Sequence, residues 1–119
     1  KCKELAKSKK VVAIGEVGLD FLEEYVKYSE KQKEAFIQQM ELAEELGLPV
    51  IFHCRQAHQD LLQALHENRS REVRGVIHCF TGTPEQARKY LDMGLYFHFQ
   101  QLQIISHFCF LNNHLQSLL

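Results

Sequence analysis

Apolar residues fall into short blocks separated by longer amphipathic stretches. Residues 10–15, in "KVVAIG", read as a buried strand that breaks off at Gly15-Glu16. Ser29 followed by Gln32 has the spacing of a capping box, and Phe36, Met40, Ala43 and Leu46 recur at helical intervals. Gly47 offers a left-handed stop to that helix and Pro49 prevents its resumption. "PVIFH" reads as a second strand and "HQDLLQALHENR" as a helix with Leu61, Leu62 and Leu65 turned inward. "GVIHCF" reads as a third strand. Thr83, Pro84 and Gln86 then supply the N-cap, the first-turn proline and the box glutamine of a helix closing at Gly94, and "LYFHF" supplies a fourth strand.

Strands that are apolar on both faces and alternate with helices define βαβ units and a parallel sheet. The first three strands finish on Glu16, His53 and His78, each about one crossover apart. All three are therefore expected at the C-terminal edge of the sheet, where parallel α/β folds place their chemistry. One strand-ending histidine is ordinarily a packed side chain; a carboxylate and two imidazoles at equivalent positions are a metal-ligand set. One oxygen and two nitrogens suit zinc, manganese or magnesium with open coordination positions. Such an ion acidifies bound water and polarises an ester or phosphoryl oxygen.

Other residues add less. Arg55 follows the His53 strand closely enough to contact a phosphate, a role set against that of a solvated loop charge. Asp20 reads equally as a ligand, a base or a loop cap. Cys54 and Cys79 follow the two histidines, and strand alternation turns both toward the helix layer rather than the site. His58 and His66 read as surface residues. Tyr25, Tyr28, Tyr90, Phe36 and Phe80 read as core or loop packing rather than a base-stacking platform. "GEVG" lacks the spacing of a phosphate-cradling loop, and its carboxylate would repel a pyrophosphate.

With 119 residues and a formal net charge of −1, the chain is at most one domain and has no overall basic field for nucleic acid. Any phosphate contact must be local. Four cysteines without a CxxC pair favour reduced thiols, a cytoplasmic or nuclear location is expected, and no stretch is apolar enough for a membrane span. None of residues 93–119 is Lys, Arg, Asp or Glu, which separates residues 1–97 from a divergent tail at 98–119. In that tail Ile104, Ile105, Phe108, Leu111, Leu115 and Leu118 fit a helical stripe, and His98, His107 and His114 are not counted as ligands.

"AIGEVGLDF", "KQKEAFIQQMELAEELGLPVIFHCRQAHQDLL" and "GVIHCFTGTPEQARKYLDMGLYF" together resemble the TatD-type metal-dependent deoxyribonucleases, relatives of the amidohydrolases. The resemblance implies part of a (β/α)8 TIM barrel, about four βα units, with two divalent cations (Mg, Mn or Zn) at its mouth. It implies hydrolysis of phosphodiester bonds in DNA, often as a 3′ exonuclease. By motif, Glu16 would be the carboxylate shared between the metals, His53 and His78 the histidines of the second metal, and Arg55 a phosphate contact. A His-x-His pair on a preceding strand and a late Thr-Asp-Ala-Pro-like motif are not found in this sequence. At most one well-formed metal site is therefore expected here, in an incomplete chain of weak or no activity, with DNA or a small phosphoester as substrate. Unpaired barrel edges are expected to favour self-association. The alternatives are an amidohydrolase-type enzyme acting on a small ester, lactone or amide, and a non-enzymatic fragment.

Overall fold

The computed structural model describes residues 2–68 and 73–99. After a short helix α1 (Cys2–Ala6) come β1 (Ile14–Asp20), α2 (Ser29–Leu46), β2 (Val50–Arg55), α3 (His58–Glu67), β3 (Gly75–Ile77), α4 (Pro84–Asp92) and β4 (Tyr96–Phe97). The four strands form one parallel sheet in the order β1-β2-β3-β4. Strictly sequential neighbours, with no reversal of strand order, make this a sector of a (β/α)8 barrel rather than a doubly wound sheet.

One face of the sheet carries the core. Val17 and Leu19 of β1, Phe52 and Cys54 of β2, Ile77 of β3 and Phe97 of β4 are buried. They pack in one cluster with Phe36, Met40 and Ala43 of α2, Leu61, Leu62 and Leu65 of α3, and Ala87 and Tyr90 of α4. Strand alternation then places the residues between them on the opposite, open face.

The first strand is not where the apolar run puts it. Val11–Ala13 lie outside β1, Val12 is 78% exposed, and pairing starts at Ile14 and runs to Asp20. Glu16 therefore sits within the strand, not at its end. The cause is a mismatch of phase. Ile14 and Val17 both pack toward the helices although three residues apart, which a period of two forbids. A register shift between Gly15 and Val17 resolves it: Gly15 pairs with Ile51 and Val17 with Phe52, so Glu16 is the extra residue of a β-bulge.

The helices follow their sequence signals with one exception. Thr83 Oγ1 accepts from the Gln86 amide at 3.2 Å and Gln86 Oε1 accepts from the Thr83 amide at 2.9 Å, the expected capping box. Gly47 ends α2 with φ 63°. The Ser29–Gln32 box does not form: Tyr28 is the N-cap residue of α2 and makes no side-chain cap. Gln32 is committed elsewhere, its Oε1 accepting from the Asp20 amide at 2.7 Å and its Nε2 donating to the Asp20 carbonyl at 2.9 Å. This side chain satisfies both backbone groups of the last β1 residue, as a neighbouring strand would. Leu46 is only half-buried, and β3 and β4 are shorter than their apolar runs. Apart from His98 and Phe99, the tail and its helical stripe lie outside the described residues.

His58 is a second correction. It is 7% exposed, and its ring packs against Phe80 and Tyr90 at centroid distances of 5.0 and 5.9 Å. Its Nδ1 pairs with the Tyr90 hydroxyl at 3.1 Å, and Nε2 lies 3.5 Å from Thr81 Oγ1. Helical spacing alone put His58 on the surface; the closure of α3 against α4 buries it. His66, one face away, is exposed. Burial pushes the His58 imidazole below its usual 6.5. A depressed histidine means that the unfolded chain binds the extra proton first, so stability falls as pH drops below 6.5. Urea denaturation at pH 7 and pH 5 is expected to show that loss, and His58→Gln is expected to flatten it.

Candidate metal centre

The bulge turns Glu16 onto the open face, and alternation continues with Gly18 and Asp20. In β2 the same face carries His53 and Arg55, because Phe52 and Cys54 are buried on the other side. Gly18 pairs with His53 and Asp20 with Arg55. An added Cβ at Gly18 would collide with the His53 carbonyl, so only glycine permits this close approach. His78 follows β3 by one residue, and its amide donates to the Phe52 carbonyl at 2.8 Å. His98 follows β4 by one residue, with its amide donating to the Ile77 carbonyl at 2.9 Å. The three histidines thus share one level across β2, β3 and β4.

Two carboxylate–imidazole pairs occupy this face. His78 Nε2 lies 3.4 Å from Glu16 Oε1, with side chains 40% and 48% exposed. His53 Nε2 lies 3.1 Å from Asp20 Oδ2, and Arg55 Nε lies 3.7 Å from the same oxygen. The other Asp20 oxygen, Oδ1, accepts from the Leu22 amide at 3.1 Å. Asp20 is therefore both a turn cap and a partner of two site residues. Burial raises its pKa, but the Leu22 amide, His53 and Arg55 outweigh that and hold the carboxyl below the usual range. Glu16, Gly18, Asp20, His53 and Arg55 line one open concavity of about 420 Å³, together with Tyr25 and Gln32. A roomier one of about 700 Å³ lies between α3 and α4, lined by Leu62, His66, Thr83 and Lys89 among others. Its lining includes His66, Glu85 and Asp92, but among the described residues no imidazole is paired with a carboxylate there, so the chemistry favours the smaller concavity.

Of the residues singled out by the sequence, Glu16 and His78 are in contact, and Glu16, His53 and Arg55 share the concavity. Glu16 and His53 are not paired with each other: each imidazole has its own carboxylate. The donor chemistry suits a divalent cation, since the exposed Glu16 carboxylate oxygen and the His78 imidazole nitrogen, 3.4 Å apart, are placed to be bridged. Among the described residues, the one group of three donors within 4.8 Å of one another is His78, Cys79 and His98. Cys54 faces the helix layer as alternation requires, its thiol pushed up to about 12 by burial. Cys79 does not. It lies beyond β3 with φ 50°, and its Sγ sits 3.9 Å from His98 Nδ1. Strand parity no longer applies past the last paired residue. The sequence left Asp20 open as a ligand, a base or a loop cap and read Gln32 as the box partner of Ser29; nothing in the pattern joined Gln32 to Asp20 or His98 to His78.

Geometry and topology define a class: a barrel-type α/β protein whose open sheet face carries paired carboxylate and imidazole side chains. The sequence profile described as TatD related DNase matches residues 1–108, and the chain belongs to that family. It is 46% identical over 99 residues to the uncharacterized metal-dependent hydrolase YabD of Bacillus subtilis, covering 82% of this chain and 38% of that protein. It is 46% identical over 93 residues to the 3'-5' ssDNA/RNA exonuclease TatD of Pantoea ananatis, covering 78% of this chain and 35% of that protein. Among solved structures it resembles the TatD homolog YJJV of Escherichia coli, with a TM-score of 0.71, 32% identity, and coverage of 81% of this chain and 36% of the other. The TatD family hydrolase of Entamoeba histolytica gives a TM-score of 0.65 at 36% identity, covering 81% and 32%. The chain spans about a third of the length of these relatives. Among the described residues, no helix is long and apolar enough to cross a membrane.

Proposed function

We propose that this chain carries the carboxylate and two histidines of a divalent-metal centre that hydrolyses phosphodiester bonds of DNA from the 3′ end. The observation that supports this most directly is the delivery of Glu16 by the bulge to 3.4 Å from His78, on the face that also carries His53 and Arg55. Glu16, His53 and His78 would hold the cation. When bound, it supplies Lewis-acid polarisation of the phosphoryl oxygen and acidifies the attacking water. The protein's own residues do the rest. Asp20 fixes the ring orientation of His53 through their 3.1 Å contact, as outer partners of metal-binding histidines do. Gln32 holds the Asp20 backbone in place. Arg55, with a side chain 52% exposed, offers N–H groups to a substrate phosphate on the open face. The naming of the Pantoea relative as a 3'-5' exonuclease supports polarity and substrate.

With four strands of an eight-strand barrel described, turnover by this chain is expected to be slow. Single-stranded DNA labelled at its 5′ end, incubated with the chain and Mn²⁺ or Mg²⁺, is expected to shorten stepwise from the other end and to stay intact with EDTA. Cleavage that persists in EDTA, or no cleavage together with no Mn²⁺ binding, would overturn the reading.

A further inference from the structure

We propose that His78, Cys79 and His98 form an alternative cation site, selective for a thiophilic divalent ion such as zinc and sharing His78 with the carboxylate-based centre. Three donor atoms from the ends of β3 and β4, two nitrogens and one sulfur, lie within 4.8 Å of one another, and all three residues are half-buried. Two features of the backbone build this group. Hydrogen bonds from the His98 amide to the Ile77 carbonyl and from the Phe80 amide to the His98 carbonyl, both 2.9 Å, tie the end of β4 to the turn after β3. The left-handed Cys79, at φ 50°, carries its thiol out of the helix-facing series and beside His98. A non-glycine residue in that region is strained and tends to be kept at functional sites.

The dimensions suit a tetrahedral ion. Zinc–nitrogen bonds of about 2.0–2.1 Å and a zinc–sulfur bond of about 2.3 Å set neighbouring donors roughly 3.3–3.6 Å apart. Cys79 Sγ and His98 Nδ1 are already 3.9 Å apart. The His78 and His98 rings are stacked, with centroids 4.8 Å apart and planes 17° from parallel, so one ring must turn to direct its lone pair at a shared ion. The His78 side chain is 40% exposed, which leaves that ring space to turn. A thiolate with two imidazoles selects zinc or cobalt over magnesium, manganese and calcium, which prefer oxygen donors. The remaining coordination position is left to water. His78 belongs to both groups, so zinc held here draws it away from Glu16.

The site is tested by metal spectroscopy on the full 119-residue chain, independently of any hydrolytic activity. One equivalent of Co²⁺ is expected to give a near-ultraviolet thiolate-to-cobalt charge-transfer band and the intense visible bands of four-coordinate cobalt, unaffected by excess Mg²⁺ and displaced by Zn²⁺. Cys79→Ser is expected to remove the charge-transfer band, and Glu16→Gln to retain it. His98→Ala is expected to weaken Zn²⁺ binding more than about tenfold, since even outer-sphere partners of a metal are worth 10–100-fold. Should a variant fail to fold, alkylation of the unaltered chain decides: Zn²⁺ is expected to slow modification of Cys79 as read by peptide mapping. Absence of the charge-transfer band, its survival in Cys79→Ser, or protection by Zn²⁺ of a cysteine other than Cys79 would overturn the proposal.

Discussion

Glu16→Gln is expected to weaken Mn²⁺ binding by about a hundredfold or more and to abolish the metal-dependent shortening of DNA. The amide keeps the shape of the side chain but removes its charge and one acceptor. Loss of an outer-sphere partner alone costs 10–100-fold in metal affinity, so loss of a directly bound charged oxygen should reach at least the upper end. The fold should not respond, because the Glu16 side chain is 48% exposed and packs on nothing in the core. Electron paramagnetic resonance of free Mn²⁺ measures the affinity, and circular dichroism checks the fold. Unchanged Mn²⁺ affinity would remove Glu16 from the metal centre, whatever the effect on cleavage.

The second large effect is on stability. Tyr90→Ala is expected to cost about 3–5 kcal/mol, measured by urea denaturation, as for other buried aromatic truncations. That is a large share of the roughly 5–15 kcal/mol of a typical domain. Tyr90 is fully buried. It meets Phe80 and Phe97 edge-on at 6.2 and 6.1 Å, and its hydroxyl donates to the His58 carbonyl at 3.3 Å. Phe80 and Phe97 flank the turns that carry His78 and His98, so the truncation should also loosen those histidines. Tyr90→Phe keeps the packing and leaves the His58 Nδ1 without its partner, a loss of about 1–3 kcal/mol. Equal costs for the two variants would mean that the hydroxyl, not the ring, carries the contribution.

Much of this was legible from residue patterns because it depends on neighbours in sequence. The leucines of α3, the stripe of α2 apart from half-buried Leu46, its Gly47 stop and the Thr83–Gln86 box are local devices, and each formed as its spacing implies. Glu16, His53, His78 and Arg55 were conspicuous because charged or ligating groups interrupt apolar runs. What failed needed tertiary information. Gln32 has the right spacing for Ser29, but the end of β1 arrives beside it and offers two backbone groups at once. His58 lies at a helical position that is surface or core depending on where α4 lands. The place of His98 beside His78, set by the hydrogen bonds of β4, is likewise invisible in its flanking text.

The bulge itself was written in the sequence as a clash of phases, with Ile14 and Val17 demanding the same side of one strand. Its consequence is a separation of architecture from chemistry within a single codon. Deleting residue 16 would bring Ile14, Gly15 and Val17 into unbroken alternation, a ladder with every rung in step. Such a chain should fold at least as readily and be inert, so a descendant could shed its acid without disturbing its core, and regain it by one in-frame insertion.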